Sequence, residues 1–123
     1  MSETLVYAEW PLAPAAWRQA WEWLQPAVER SGEGWVESDI ADVLERELAQ
    51  LWLAYDGGRM VAACVTTSHK PTLHFWLCGG EGCDWRRLGV GIMQAAWREG
   101  FHDFTIDGRK GWDRLLPGVR RED

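Results

Sequence analysis

Residues 72–106 read TLHFWLCGGEGCDWRRLGVGIMQAAWREGFHDFTI, and this stretch decides the architecture. Thr72–Cys78 is an apolar run of strand length, stopped by Gly79-Gly80-Glu81-Gly82. From Asp84 to Glu99 the period changes, with Leu88, Ile92, Ala95 and Ala96 on one side of a helix and Gly100 as its C-terminal stop. Phe101–Ile106 is apolar and β-prone again. A helix that connects two strands of one sheet carries the chain back to the starting edge, so these two strands lie parallel. Immediately upstream, Leu51–Tyr55 and Met60–Thr67 flank Asp56-Gly57-Gly58-Arg59, a hairpin whose turn needs the positive φ that glycine supplies. Antiparallel and parallel pairings therefore meet in one mixed sheet.

Working further outward, Thr4–Trp10 predicts a strand ended by Pro11 and Pro14. Trp17, Trp21, Leu24 and Val28, flanked by Ala20 and Ala27, form the apolar stripe of a first helix. Pro26 lacks an amide proton and crowds the preceding turn, which predicts a kink or an end near Gln25. Ser38 reads as the N-cap of a second helix running to about Leu48, with Asp39 and Asp42 in its first turn. Gly111–Leu116 reads as a short last helix, ended by Pro117-Gly118. The predicted order is β-α-α-β-β-β-α-β-α in one α/β domain spanning residues 1–123, with helices on both faces of the mixed sheet.

Composition narrows the function classes. The 123 residues are 46% hydrophobic and 26% charged, close to globular averages, and no run approaches the roughly 18 apolar residues of a membrane span. The start, MSETLVYAEW, lacks the basic and apolar segments of a signal peptide, so a cytoplasmic, non-membrane protein is expected. Cys64, Cys78 and Cys83 show no CxxC spacing and no second ligand pair, which points to reduced thiols and no metal. Net charge is −6, but residues 1–56 carry −8 and residues 57–123 carry +2. A uniformly basic nucleic-acid footprint is absent, and any anionic ligand belongs to the second half. The sequence holds ten tryptophans, and Trp17 and Trp21, at helical spacing in the first-helix stripe, read as core before they read as stacking platforms.

The chemistry-bearing segment is Arg86-Arg87-Leu88-Gly89-Val90-Gly91. A strand that enters a helix through a glycine-bearing turn aims backbone amides at a phosphate, and bare Gly89 and Gly91 allow close approach. The same R-x-x-G-x-G pattern is also that of a helix whose glycines permit close packing. With the order of elements, this motif resembles the GNAT superfamily of acetyl-CoA-dependent N-acyltransferases. The resemblance implies that Arg86, Arg87, Leu88, Gly89, Val90 and Gly91 hold the acetyl-CoA pyrophosphate and that Leu77, Cys78 and Gly79 face pantetheine and thioester. The run Ile106–Gly118, with its Gly-Arg-Lys-Gly-Trp core, is similar to short GNAT-like proteins of tailed phages and prophages, several of which serve virion assembly. In that setting the host cytoplasm or the virion is the implied location.

Against the family pattern, the sequence offers no sixth and seventh strands after Ile106 and no tyrosine in the last helix to protonate the leaving thiolate. Phe101–Ile106 then stands as an open sheet edge, which predicts a homo-oligomer or a protein partner. Acyl transfer to an amine needs a base. His74 qualifies, with alternation placing it opposite Leu73, Phe75 and Leu77, and Asp107 at the end of the last strand is the other candidate. Structural readings stand beside both: a satisfied strand histidine, and an Asp107 paired to Arg109 or Lys110. Three functions follow: a phage-type GNAT-fold protein, non-catalytic or weakly catalytic, in virion assembly or protein binding; an acetyl-CoA-dependent N-acyltransferase; or an acidic inhibitor of a host nucleic-acid-binding system.

Overall fold

The structure is a computed structural model that describes residues 3–107, 116 and 118–121. In chain order its elements are β1 (Glu3–Ala8), α1 (Pro14–Ser31), α2 (Glu37–Glu45), β2 (Ala49–Asp56), β3 (Arg59–His69), β4 (Thr72–Gly80), α3 (Trp85–Arg98), β5 (Asp103–Ile106) and β6 (Val119–Arg121). The six strands form one sheet in the order β1-β2-β3-β4-β5-β6. Pairing is antiparallel from β1 to β4 and parallel from β4 to β5 and from β5 to β6, the mixed sheet expected from residues 72–106. Gly57 and Gly58 carry φ values of 60° and 83° in the β2–β3 turn, a conformation that L side chains resist.

Two apolar layers sandwich the sheet. On one face α1 and α2 bury Ala20, Leu24, Val28, Ile40 and Leu44 against Leu51, Leu53, Val65 and Leu77. On the other, α3 sets Ile92 and Ala96 against Leu73, Phe75, Phe104 and Ile106. Apolar burial at roughly 25 cal/mol per Å² favours both layers.

Four local readings change. Helix α1 continues through Pro26 to Ser31, because Pro26 and Glu22 are both on the exposed side and water can serve the Glu22 carbonyl that loses its amide partner. The cap of α2 lies two residues before the expected one: Val36 is the N-cap residue, and Asp39 Oδ2 accepts its N–H at 2.9 Å. In β4, Val65 pairs with Leu77 and Thr66 with Phe75, so Trp76 is an extra residue in a bulge. Leu77 consequently packs on the α1 face while Leu73 and Phe75 pack on the α3 face, correcting the strict alternation predicted for the three.

The fourth change is at the C-terminal edge, where the sequence reading left β5 open. Val119 pairs with Phe104 and is only 7% exposed, and Arg120 donates to both oxygens of Asp103 at 2.8–3.2 Å. A single apolar residue between a glycine and two arginines is too short a signal to announce a strand. The predicted helix Gly111–Leu116 lies outside the described residues except for Leu116, which is buried in the α3 layer.

Candidate functional site

Among the described residues strands β4 and β5 are paired from Thr72/Asp103 to Phe75/Ile106, and the Asp107 N–H then donates to the Phe75 carbonyl at 3.1 Å. Beyond it β4 continues through Trp76–Gly80 with no register partner on the β5 side among the described residues, which leaves a fork at the end of the described ladder. His74 and Asp107 sit at this fork. His74 Nε2 lies 3.1 Å from Asp107 Oδ2, and His74 Nδ1 lies 2.6 Å from Thr105 Oγ1. Thr105 is 1% exposed, whereas the Asp107 side chain is 51% exposed and that of His74 20%. The two residues picked separately from sequence are therefore one close pair, and Thr105, which the sequence reading missed, is its inner anchor. The missed signal is register: two residues before Asp107, Thr105 is level with His74 in the parallel ladder.

An ionised Asp107 only accepts, so a neutral ring that presents Nε2–H to it leaves Nδ1 to accept from the Thr105 hydroxyl. Because a hydroxyl can donate or accept, Thr105 also serves a cationic ring by accepting from Nδ1–H. A proton can thus be taken up at the pair without leaving a ring nitrogen unpartnered.

The residues carried over for the acyl donor are placed differently. Gly79 lies beneath α1, where a Cβ would collide with the Trp23 carbonyl oxygen and come within 2.7 Å of its carbon. Leu77 is core, and Cys78 Sγ lies 3.0 Å from buried Cys64 Sγ across the β3–β4 ladder. Helix α3 starts at Trp85, so Leu88, Gly89, Val90 and Gly91 are within the helical ladder rather than in a loop. Leu88 and Gly89 are buried. A Cβ on Gly89 would collide with Leu116 Cδ2, and one on Gly91 would come 3.0 Å from Leu5 Cδ2. Both glycines therefore meet packed side chains, the close-packing alternative of the sequence reading.

Arg86 and Arg87 do reach water, on the first turn of α3. They line an open cleft of about 490 Å³ with Glu3, Asp84, Val90 and Gln94. Two donors at that helix start are occupied by the chain's own carboxylates: Asp84 Oδ1 accepts the Arg87 N–H at 3.1 Å, and Glu3 accepts the Asp84 N–H at 3.1–3.2 Å. The fit to a pyrophosphate is thus partial, since cations, a helix N-terminus and Gly91 line the cleft while Gly89 and two amides are engaged elsewhere. Nearby, burial and then the Glu3 carboxylate push the Cys83 thiol up to about 11. Burial and the bond to Cys78 raise Cys64 as well, with the Cys78 hydrogen bond the larger cause. Among the described residues no three His, Cys, Asp or Glu side chains gather as a metal site, and no helix is long and apolar enough to cross a membrane.

Residues 6–106 match the acetyltransferase (GNAT) domain family. No curated protein matches the chain by sequence. Among solved structures, the chain is similar to an acetyltransferase of Bacillus subtilis in complex with CoA, at 12% identity and a TM-score of 0.67, covering 93% of this chain and 71% of that one. It is also similar to an IAA acetyltransferase of Bacillus cereus, at 15% identity and a TM-score of 0.65 with the same two coverages. A GNAT family acetyltransferase of Elizabethkingia anophelis with acetyl-CoA bound gives 14% identity and a TM-score of 0.64, covering 92% and 70%. Identities this low speak to the shared fold.

Proposed function

The chain belongs to the acetyltransferase (GNAT) domain family, and from that premise we propose that it is an N-acyltransferase that moves an acyl group from acyl-CoA to an amine. The observation that carries the reading is the His74–Asp107 pair at the fork of β4 and β5, held from behind by Thr105. An acyl-CoA supplies an acyl carbon on a sulfur leaving group, so transfer forms one C–N bond, breaks one C–S bond and releases the free thiol. The chain's residues handle the amine. An ammonium substrate must lose one proton before its lone pair can attack, and the exposed Asp107 carboxylate, backed by His74, takes it. Thr105 reorients its hydroxyl as the ring changes charge, and the second amine proton leaves with the sulfur. Arg86 and Arg87 are the residues positioned to hold phosphate, with Asp84 and Glu3 opposing it in the same cleft.

A second reading is favoured by the state of the α3 N-terminus. With Gly89 and Gly91 filled by Leu116 and Leu5, and Asp84 capping the helix, the chain also suits a member that keeps the fold without turnover and acts by protein binding. The phage-type lineage and a virion-assembly role belong to this second reading. Calorimetry with acetyl-CoA followed by an acetylation assay over a panel of primary amines separates the two. Micromolar binding and turnover that falls about 10²-fold or more in His74→Asn and Asp107→Asn support the transferase. Absence of binding at millimolar acetyl-CoA refutes it.

A further inference from the structure

We propose that Cys64 and Cys78 form a redox modification site, a facing pair of thiols that a peroxide converts into a disulfide across β3 and β4. The two residues are direct partners in the antiparallel ladder, on the regular side of the bulge, and both side chains pack in the α3 layer. Their sulfurs lie 3.0 Å apart although the residues are fourteen apart in sequence, and both are free thiols. Facing residues of such a ladder have Cα atoms about 4.5 or 5.5 Å apart, and a disulfide spans about 4.4–6.8 Å. Closing to a bond of about 2.05 Å therefore asks the two sulfurs to approach by about 1 Å in all, by side-chain rotation and without a strand moving. The register is held beside the pair, where Gly79 packs without a side chain against the Trp23 carbonyl.

Exposure orders the chemistry. Cys64 is 4% exposed, whereas Cys78 is only partly buried, so the peroxide meets Cys78 first. The Cys64 thiol is held above its ordinary pKa, first by its hydrogen bond to Cys78 and then by burial, and it keeps its proton until Cys78 has reacted. The Cys78 thiolate attacks one peroxide oxygen and the O–O bond breaks, leaving a sulfenic acid and a hydroxide that takes up a proton as water. The Cys64 sulfur then attacks the sulfenic sulfur, the S–O bond breaks, and the hydroxyl leaves as water with the Cys64 proton. Two electrons pass in total from the pair to the peroxide. Cys83 takes no part, because burial and then the Glu3 carboxylate push its thiol up to about 11. The bridge falls where the sheet is least supported: Cys78 lies in the half of β4 that has no register partner on the β5 side, and among the described residues β3 is the one strand that holds it.

The test uses the full chain, incubated folded with millimolar hydrogen peroxide at pH 8, then unfolded, alkylated and mapped by mass spectrometry. The three free thiols should fall to one, on Cys83, with a mass loss of about 2 Da and full recovery under dithiothreitol. Loss of the Cys64 and Cys78 thiols should outpace loss of the Cys83 thiol about tenfold or more. The oxidised chain should melt several degrees higher than the reduced one, because the bridge closes a loop of the unfolded chain. In Cys64→Ala the reaction should stop at a Cys78 sulfenic acid that dimedone traps, while the wild-type thiol count and peptide map need no variant to fold. Three thiols surviving the treatment, a bridge that includes Cys83, over-oxidation of Cys78 without a bridge, or a lower melting temperature after bridging overturns the proposal. None of these steps uses acyl-CoA, so the outcome is independent of acyl transfer.

Discussion

Three glycines assigned to the acyl donor by resemblance have distinct packing partners, and this yields a graded prediction for Gly79→Ala, Gly89→Ala and Gly91→Ala. At Gly79 the obstacle is backbone: a Cβ would overlap the Trp23 carbonyl and stand 2.7 Å from its carbon, where carbon contacts settle at about 3.5–4.0 Å. No rotamer relieves this, so α1 must lift from β4 by about 1 Å. A gap of that size forfeits roughly a quarter to a half of a dispersion contact, and Leu24 and Val28 beneath α1 each contribute about 1.5–3 kcal/mol by burial. With the overpacking itself, Gly79→Ala should destabilise by about 3 kcal/mol. At Gly89 the obstacle is the tip of Leu116, whose Cγ would be 3.2 Å away. Repacking it costs about 1–2 kcal/mol, against about 1 kcal/mol gained by replacing glycine in a helix. The net loss is about 0–1 kcal/mol. At Gly91, Leu5 yields a few tenths of an ångström and the helix gain dominates, for about 0.5 kcal/mol of added stability. Thermal unfolding by circular dichroism reads these as a fall of about 12 °C, a fall of a few degrees and a small rise, at roughly 4 °C per kcal/mol. An unchanged melting temperature in Gly79→Ala refutes the packing argument. So does a series in which all three retain stability while acetyl-CoA binding is lost, since that pattern requires glycines facing the ligand.

Asp84→Ala removes the carboxylate that caps α3 and should lower stability by about 1 kcal/mol while raising acetyl-CoA affinity, because the Arg87 amide and the arginine pair lose a competing anion; calorimetry on the same sample reads both. Asp103 is held below the usual carboxylate range by its hydrogen bonds to Arg120 and then Thr72, so its contribution is complete above the unfolded pKa near 4 and lost as pH falls through the lower folded value. The melting temperature of Asp103→Asn should therefore lie below that of the wild type at neutral pH and converge with it below about pH 4. The Cys83 thiol, raised to about 11, should react slowly with iodoacetamide at pH 8 and faster with rising pH; Glu3→Gln should speed it at constant pH, as peptide mapping of the alkylated chain would show.

The sheet was legible where periodicity and turns agree. Thr72–Ile106 carries two apolar runs around a helical stripe, and right-handed crossover geometry leaves one arrangement for them. Asp56-Gly57-Gly58-Arg59 likewise admits one hairpin. What periodicity misses is a single-residue event or a partner distant in sequence. Nothing in Phe75-Trp76-Leu77 announces the bulge, because all three are apolar and suit either face. Nothing in Val119-Arg120-Arg121 announces β6 until Asp103 and Phe104 are beside it. Pro26 misled for the opposite reason: its rule concerns the amide it removes, and that matters little on a face where water replaces the lost donor.

For the site, the same logic separates the acceptor side from the donor side. His74 lies near the start of β4 and Asp107 just past the end of β5, each picked on its own from sequence, and the register of the parallel pair is what brings them together with Thr105. The glycines of Arg86–Gly91 suit two structures with identical residues, and what decides between them is where α3 begins. Asp84 is an N-cap by residue type, and a helix begun at Trp85 carries Gly89 and Gly91 past the amides that point out of its N-terminus. A donor phosphate then depends on Arg86 and Arg87 rather than on glycine approach. Its binding should fall steeply with salt, as a contact between exposed charges does, and should survive Gly91→Ala. Salt-independent binding that is abolished by Gly91→Ala would show instead that the first turns of α3 unwind around the ligand.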